Sequence, residues 1–289
     1  MKEMTARILL GVIAIPILLV ILLFPLPFNA AVNAVIMAFT ALAGIETARL
    51  TETRLTRLNK AAAVFCAVLP PLSVFCFLFL PDTVAALTVA AILILAPTLL
   101  IGREAFSRSA EKWNNSLTRI AGYAFILLYI GGLSAALVGF QFLSRFVPDD
   151  NPGLIYLIYL LMIFTNDTAA YFTGVAVGRF TPHPAPISPK KSLAGFIGGA
   201  VGCLAVSVAA FFILPQLFEN SILWALTVGA VLACAGIVGD LVESAFKRSA
   251  GVKDSGRLMG GRGGVLDSID SVLYGAPFFF VLLSGIHLI

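Results

Sequence analysis

Apolar runs of about twenty residues recur along nearly the whole chain, and polar positions gather in the short gaps between them. Nine such runs stand out, at 7–27, 29–48, 61–80, 83–101, 120–141, 153–177, 194–214, 221–239 and 270–288. A helix rises about 1.5 Å per residue and the hydrocarbon core of a bilayer is about 30 Å thick, so about 20 apolar residues cross it. The pattern predicts an all-α polytopic membrane protein with about nine transmembrane helices. The first run follows Lys2 and Arg7 as a signal peptide would. Its apolar stretch is longer than a signal core and further spans follow at once, so it reads as a retained helix.

Composition supports the same solvent. Of 289 residues, 60% are hydrophobic and 12% charged, against about 25% charged in soluble domains. The net charge of +4 does not point to nucleic acid, because no aromatic–basic platform accompanies it. It points to topology, since Lys and Arg crowd cytoplasmic loops. With a cytoplasmic N-terminus, the inside segments hold 18 of the 19 basic residues and leave only Arg145 outside, where Asp82, Asp149, Asp150 and Glu219 fall. The C-terminus then lies outside. A compact chain without a transit extension suggests a bacterial inner (cell) membrane.

Cys66, Cys76, Cys203 and Cys234 lie in apolar runs and form no CxxC, and His183 and His287 are isolated. Zinc, a disulfide framework and a Ser-His-Asp triad are therefore not indicated. There is no tandem repeat, and the two halves lack matching broken segments of the kind inverted-repeat transporters show. The chain divides into 1–150, about five N-terminal spans, and 151–289, a catalytic region with cytoplasmic loops 178–193 and 240–269. Loops 49–60 and 102–119 carry scattered charges and read as topology anchors.

Chemistry concentrates in the second region. Asn166 and Asp167 lie inside the sixth run, roughly 16 Å deep by helix rise, where a carboxylate is costly unless it faces a polar cavity. Gly174 and Gly178 follow as a small-xxx-small packing face. Next come Ser188, Lys190, Lys191 and Ser192 just before a span, a plausible anion site at a helix N-terminus. The densest segment is GDLVESAFKRSAGVKDSGRLMGGRGGVLDSIDS, Gly239–Ser271, with five acidic and five basic residues in 33 positions. Asp240, Ser244 and Lys247 share a helical face. Glu243 and Lys247 read as an ordinary surface ion pair. Asp267 and Asp270, at i and i+3 where the last run begins, project on one face.

Such a cluster suits phosphoryl or nucleotidyl transfer. Carboxylates hold Mg²⁺ shared with substrate phosphates, glycine-rich turns offer backbone N–H groups, and Lys or Arg offset charge on the transferring group. No histidine base is needed if the attacking oxygen is already an anionic phosphate.

The segment resembles the signature of the phosphatidate cytidylyltransferases (CDP-diacylglycerol synthases), which reads approximately S-x-x-K-R-x4-K-D-x-G, a P-G-H-G-G-like turn and then x-x-D-R-x-D. Ser244, Lys247, Arg248, Lys253, Asp254, Gly256, Gly261, Gly263, Gly264, Asp267 and Asp270 fall on it. GDL at Gly239–Leu241, SPKKS at Ser188–Ser192 and NDTAAY around Asp167 extend the likeness over about 153–289. Departures are Gly260 for Pro, Arg262 for His, Ser268 for Arg, and Ala194 where an acidic residue follows the paired lysines. They suggest a diverged branch.

The resemblance implies a Mg²⁺-dependent attack of the phosphatidate phosphate on the α-phosphorus of CTP. It implies Asp240, Asp267 and Asp270 as metal ligands or their supports, with Lys247 also catalytic. Lys191, Lys190, Ser188, Ser244, Arg248, Lys253, Asp254, Arg262, Gly263 and Gly264 would bind the phosphates, and Asp167 would shape a polar cavity. The partners are CTP, phosphatidate and the bilayer, and a homodimer stays open. Other readings remain: a CTP-dependent polyprenol or phytol kinase with Asp167 or Asp254 as base, a transporter, or an inactive paralogue motivated by Ala194 and Ser268.

Overall fold

The computed structural model describes residues 15–24, 26–80, 82–106, 113–147, 151–259 and 263–287, and among them all regular structure is helical. After a helical run at 15–23 come α1 (Ala30–Glu52), α2 (Lys60–Cys76) and α3 (Asp82–Ala105). A single rod follows, made of α4 (Ser116–Phe125), a π-helical stretch (Ile126–Gly132) and α5 (Leu133–Gly139). The second half supplies α6 (Gly153–Val177), α7 (Leu193–Ile213), α8 (Ile222–Ser249) and α9 (Leu266–Ile286).

Among the described residues, seven helical stretches are long and apolar enough to cross a bilayer, the rod among them. The protein is a polytopic all-α membrane protein. The fourth predicted run falls on α3, whose shorter apolar part spans Val89–Arg103. Of the first predicted run, residues 7–14 and 25 lie outside the described residues.

Helices in lipid gain little from burying Leu against Leu, so close approach of small residues and interhelical hydrogen bonds decide the packing. At the α6–α7 crossing, a Cβ added at Gly178 would lie 2.6 Å from Ser192 Oγ, and one at Gly199 would lie 2.8 Å from the Asn166 carbonyl oxygen. Ser207 Oγ donates to the Ala225 carbonyl at 2.6 Å and ties α7 to α8. Ser271 Oγ donates to the Gly236 carbonyl at 3.2 Å, and Tyr159 donates to the Val272 carbonyl, so α9 is fastened to α8 and α6. The rod meets α2 at Gly131, where a Cβ would stand 2.7 Å from the Ala67 carbonyl oxygen. Helix α9 packs on α8 and also on α5 and α1, joining the two halves. Large apolar side chains such as Phe172, Val175, Ile197, Val201 and Phe212 face outward, as lipid-facing positions do.

Two boundaries differ from the sequence reading. The eighth apolar run ends near 239, yet α8 continues unbroken to Ser249. The extension contains no Pro or Gly, and it keeps one side against the protein at Glu243 and Ser244. The last helix begins at Leu266 and not at 270. The loop between them therefore shrinks to 250–265, which keeps Asp254, while Asp240, Glu243 and Asp267 sit on helices.

Candidate active site

Three carboxylates converge where α8 passes α9. Asp240 and Glu243 of α8 and Asp270 of α9 each offer an oxygen within 4.8 Å of the others. Glycine brings the two helices together here: a Cβ at Gly239 would lie 2.7 Å from Tyr274 Cβ and 3.2 Å from the Asp270 carbonyl oxygen. Glu243 is fully buried and its Oε1 has no hydrogen-bond partner. Asp270 is buried too, and accepts from the Ser271 N–H at 2.7 Å. Hard carboxylate oxygens, one of them an orphan, are a donor set that fits a divalent cation.

Two lysines flank this cluster. Lys191, from the loop before α7, pairs with Asp240 at the more open edge, where their side chains are 23% and 38% exposed. Lys247 pairs with Glu243 one turn along α8, and with Asp267 Oδ1 at 2.6 Å. The Glu243–Lys247 pair is not the surface pair expected from spacing, because Glu243 is wholly buried and the Lys247 side chain only 13% exposed. Asp167 of α6 lies within electrostatic reach of Asp240 and Lys191. Its neighbour Asn166 is buried between α7 and α8, where a Cβ at Gly236 would lie 2.9 Å from Asn166 Nδ2.

Asp267 is engaged differently from Asp270. Its Oδ2 accepts from Gly264 N–H at 2.6 Å, Ser255 N–H at 2.8 Å and Ser255 Oγ at 2.8 Å, while Oδ1 meets Lys247. The reach back to Gly264 resembles the acidic half of a capping box, satisfying a donor at the start of α9. These partners saturate the carboxylate. The α9 start is also held from the N-terminal half: Glu46 of α1 accepts from Val265 N–H at 3.0 Å and Leu266 N–H at 2.9 Å, and its Oε2 lies 3.1 Å from Ser255 Oγ, whose one proton it shares with Asp267. Gly263 adopts φ +96, the left-handed region that favours glycine, and a Cβ there would strike the Asp267 carboxylate.

The remaining predicted residues lie around this core without entering it. Ser244 is buried on α8. Ser188 turns the loop by accepting the Lys191 N–H at 3.0 Å, and Lys190 is exposed. Arg248 donates to the Val252 carbonyl at 3.2 Å, while Lys253 and Asp254 are exposed. Gly264 is buried against Glu46 and Ser255. Ser268 donates to the Gly264 carbonyl at 3.1 Å, and the Ala194 N–H donates to Thr181 Oγ1 at 3.2 Å. Arg262 lies outside the described residues.

Sequence reasoning passed over Glu46 and discounted Glu243. Glu46 carried a usable signal, a lone carboxylate inside an apolar span, the argument applied to Asp167. Loop 49–60 is also more than a topology anchor: Thr53 Oγ1 donates to the Ala250 carbonyl at 2.8 Å, and a Cβ at Gly251 would meet the Arg54 guanidinium at 2.9 Å.

The sequence profile of the cytidylyltransferase family matches residues 5–286. A Bacillus subtilis protein named phosphatidate cytidylyltransferase is 30% identical over 288 residues, covering 98% of this chain and 99% of that one. Proteins of the same name from Staphylococcus haemolyticus and Staphylococcus aureus are 41% and 40% identical over 152 residues, 52% of this chain. The match spans 57% of the length of those staphylococcal relatives. Matched from near its first residue to near its last, the chain belongs to the cytidylyltransferase family.

Proposed function

We propose that the protein joins CTP to phosphatidate, giving CDP-diacylglycerol and pyrophosphate, at the cytoplasmic face of a bacterial cell membrane. The observation that carries this reading is the convergence of Asp240, Glu243 and Asp270 between Lys191 and Lys247. The names of the relatives supply the substrates. The sidedness rests on the charge pattern of the sequence, in which the segments read as inside, those of the site among them, hold 18 of the 19 basic residues.

Asp240, Glu243 and Asp270 would hold Mg²⁺, with Glu243 in the place first given to Asp267, whose oxygens are already occupied. When bound, the ion offsets triphosphate charge and orients the α-phosphorus. Lys191, paired with Asp240, and Lys247, paired with Glu243 and Asp267, would meet the CTP triphosphate and the lipid phosphate. Asp267 keeps Lys247 in position. Asp167 keeps the entry to the cluster polar. Ser188, Lys190, Ser244, Arg248, Lys253, Asp254, Arg262, Gly263 and Gly264 remain the proposed phosphate-binding surround. In the reaction, a phosphatidate oxygen forms a bond to the α-phosphorus while the bond from that phosphorus to the bridging oxygen breaks. Pyrophosphate leaves with the electron pair. The nucleophile is an anion at neutral pH, so no side-chain base is required.

The test is transfer of label from α-labelled CTP into lipid by purified protein in phosphatidate micelles. Labelled CDP-lipid with equimolar pyrophosphate supports the reading. No labelled lipid from phosphatidate, but label released as CDP with formation of a lipid monophosphate when a polyprenol is supplied as acceptor, would establish a kinase instead.

A further inference from the structure

We propose that Glu46 is a positioning residue for this transfer, a carboxylate from the N-terminal half that sets the start of α9 and thereby the place of Asp270 in the cation cluster. The inference rests on the reaction proposed above and deepens it. Glu46 has no solvent exposure. A buried carboxylate is costly unless donors surround it, and here the Val265 and Leu266 N–H groups donate to it, with the Ser255 hydroxyl, 3.1 Å away, shared between it and Asp267. Two of these are the orphan donors at the beginning of a helix, where the dipole also favours an anion.

The surroundings are shaped to this side chain. A Cβ at Gly256 would collide with Glu46 Oε1, and a Cβ at Gly264 would collide with Oε2. Ser255 Oγ links Glu46 to Asp267 Oδ2, and Asp267 Oδ1 links to Lys247, which pairs with Glu243. A continuous polar chain therefore runs from α1 to the cation cluster. Asp270 lies three residues beyond Asp267 on the same helix. If the start of α9 shifts, Asp270 rotates or slides away from Asp240 and Glu243 on α8, which has no direct bond to Glu46.

Substitution Glu46→Gln preserves shape but turns an amide NH₂ toward donors, and Glu46→Asp preserves charge but shortens the reach. The probe is Mn²⁺, titrated by electron paramagnetic resonance against detergent-solubilised full-length protein without CTP, with turnover and melting temperature measured in parallel. Glu46→Gln should weaken Mn²⁺ binding and lower kcat by about 10–100-fold, the range for supports behind metal ligands, with KM for CTP little changed. Glu46→Asp should recover part of both. Ser207→Ala, which loses a buried bond between α7 and α8 far along the helices from the cluster, should lower the melting temperature and leave Mn²⁺ affinity unchanged. Wild-type Mn²⁺ affinity in a folded Glu46→Gln protein would overturn the proposal, as would losses no larger than Ser207→Ala produces at equal destabilisation. Should Glu46→Gln not fold, Ser255→Ala interrupts the same chain without stranding a charge, and unchanged Mn²⁺ affinity there would also overturn it. Failure of the wild type to make CDP-lipid would remove the proposed reaction, while the Mn²⁺ titration would still judge Glu46.

Discussion

At the scale of single residues, two aspartates three positions apart do different work. Asp270 joins Asp240 and Glu243 and accepts only a local backbone bond. Asp267 caps α9 and pairs with Lys247. Asp270→Asn should therefore abolish cation-dependent turnover with little change in melting temperature. Asp267→Ala should lose activity and also stability, by about 3–5 kcal/mol, because Lys247 and the loop donors lose a buried partner. Thermal unfolding in detergent beside a turnover assay separates the two. Lys247→Ala strands Glu243 and Asp267 together, and should destabilise by a similar amount. Spacing placed both aspartates on one face but not which one was free, since that depends on Ser255 and Gly264 folding back over α9. Glu243 was misread for a related reason: an i, i+4 pair looks alike in sequence whether water or protein covers it.

At the scale of elements, the second-half helices that carry the site were legible from hydropathy, α6 and α7 to within a residue at each end, but the end of α8 and the start of α9 were not. Hydropathy falls where α8 leaves the apolar layer, but the backbone has no reason to stop until Gly251, which takes φ +73. The π-helical stretch Ile126–Gly132 was likewise invisible, because its apolar run continues on both sides. Glycines set how near the helices come. Gly239→Ala would press on Tyr274 and the α9 backbone, costing about 1–3 kcal/mol as overpacking does and parting Asp240 from Asp270. The expected result is a higher cation requirement for turnover, measured as the Mg²⁺ concentration giving half-maximal rate. Gly285→Ala, which meets open space, should leave that value where it was.

At the scale of the whole molecule, the site draws on both sides of the division expected at residue 150. The second half carries the carboxylates and lysines, but α1 reaches the start of α9 through Glu46, and its end meets Ala250 and Gly251. The proposed sidedness has its own check. A cysteine placed at exposed Lys253, between α8 and α9, should react with an impermeant maleimide only from the cytoplasmic side. One at exposed Gln216, between α7 and α8 at the opposite end, should react only from outside. The reverse pattern would invert the topology drawn from the basic residues.

The central claim, that the Asp240–Glu243–Asp270 cluster serves transfer of a cytidylyl group to a lipid phosphate, meets its most direct test in one assay. Purified wild type and Asp270→Asn are given α-labelled CTP, phosphatidate micelles and Mg²⁺, and the lipid fraction is counted. The account predicts labelled CDP-diacylglycerol and matching pyrophosphate from wild type, abolished by chelation, and none above background from the variant. Undiminished transfer by Asp270→Asn, or transfer by wild type that survives chelation, would contradict it.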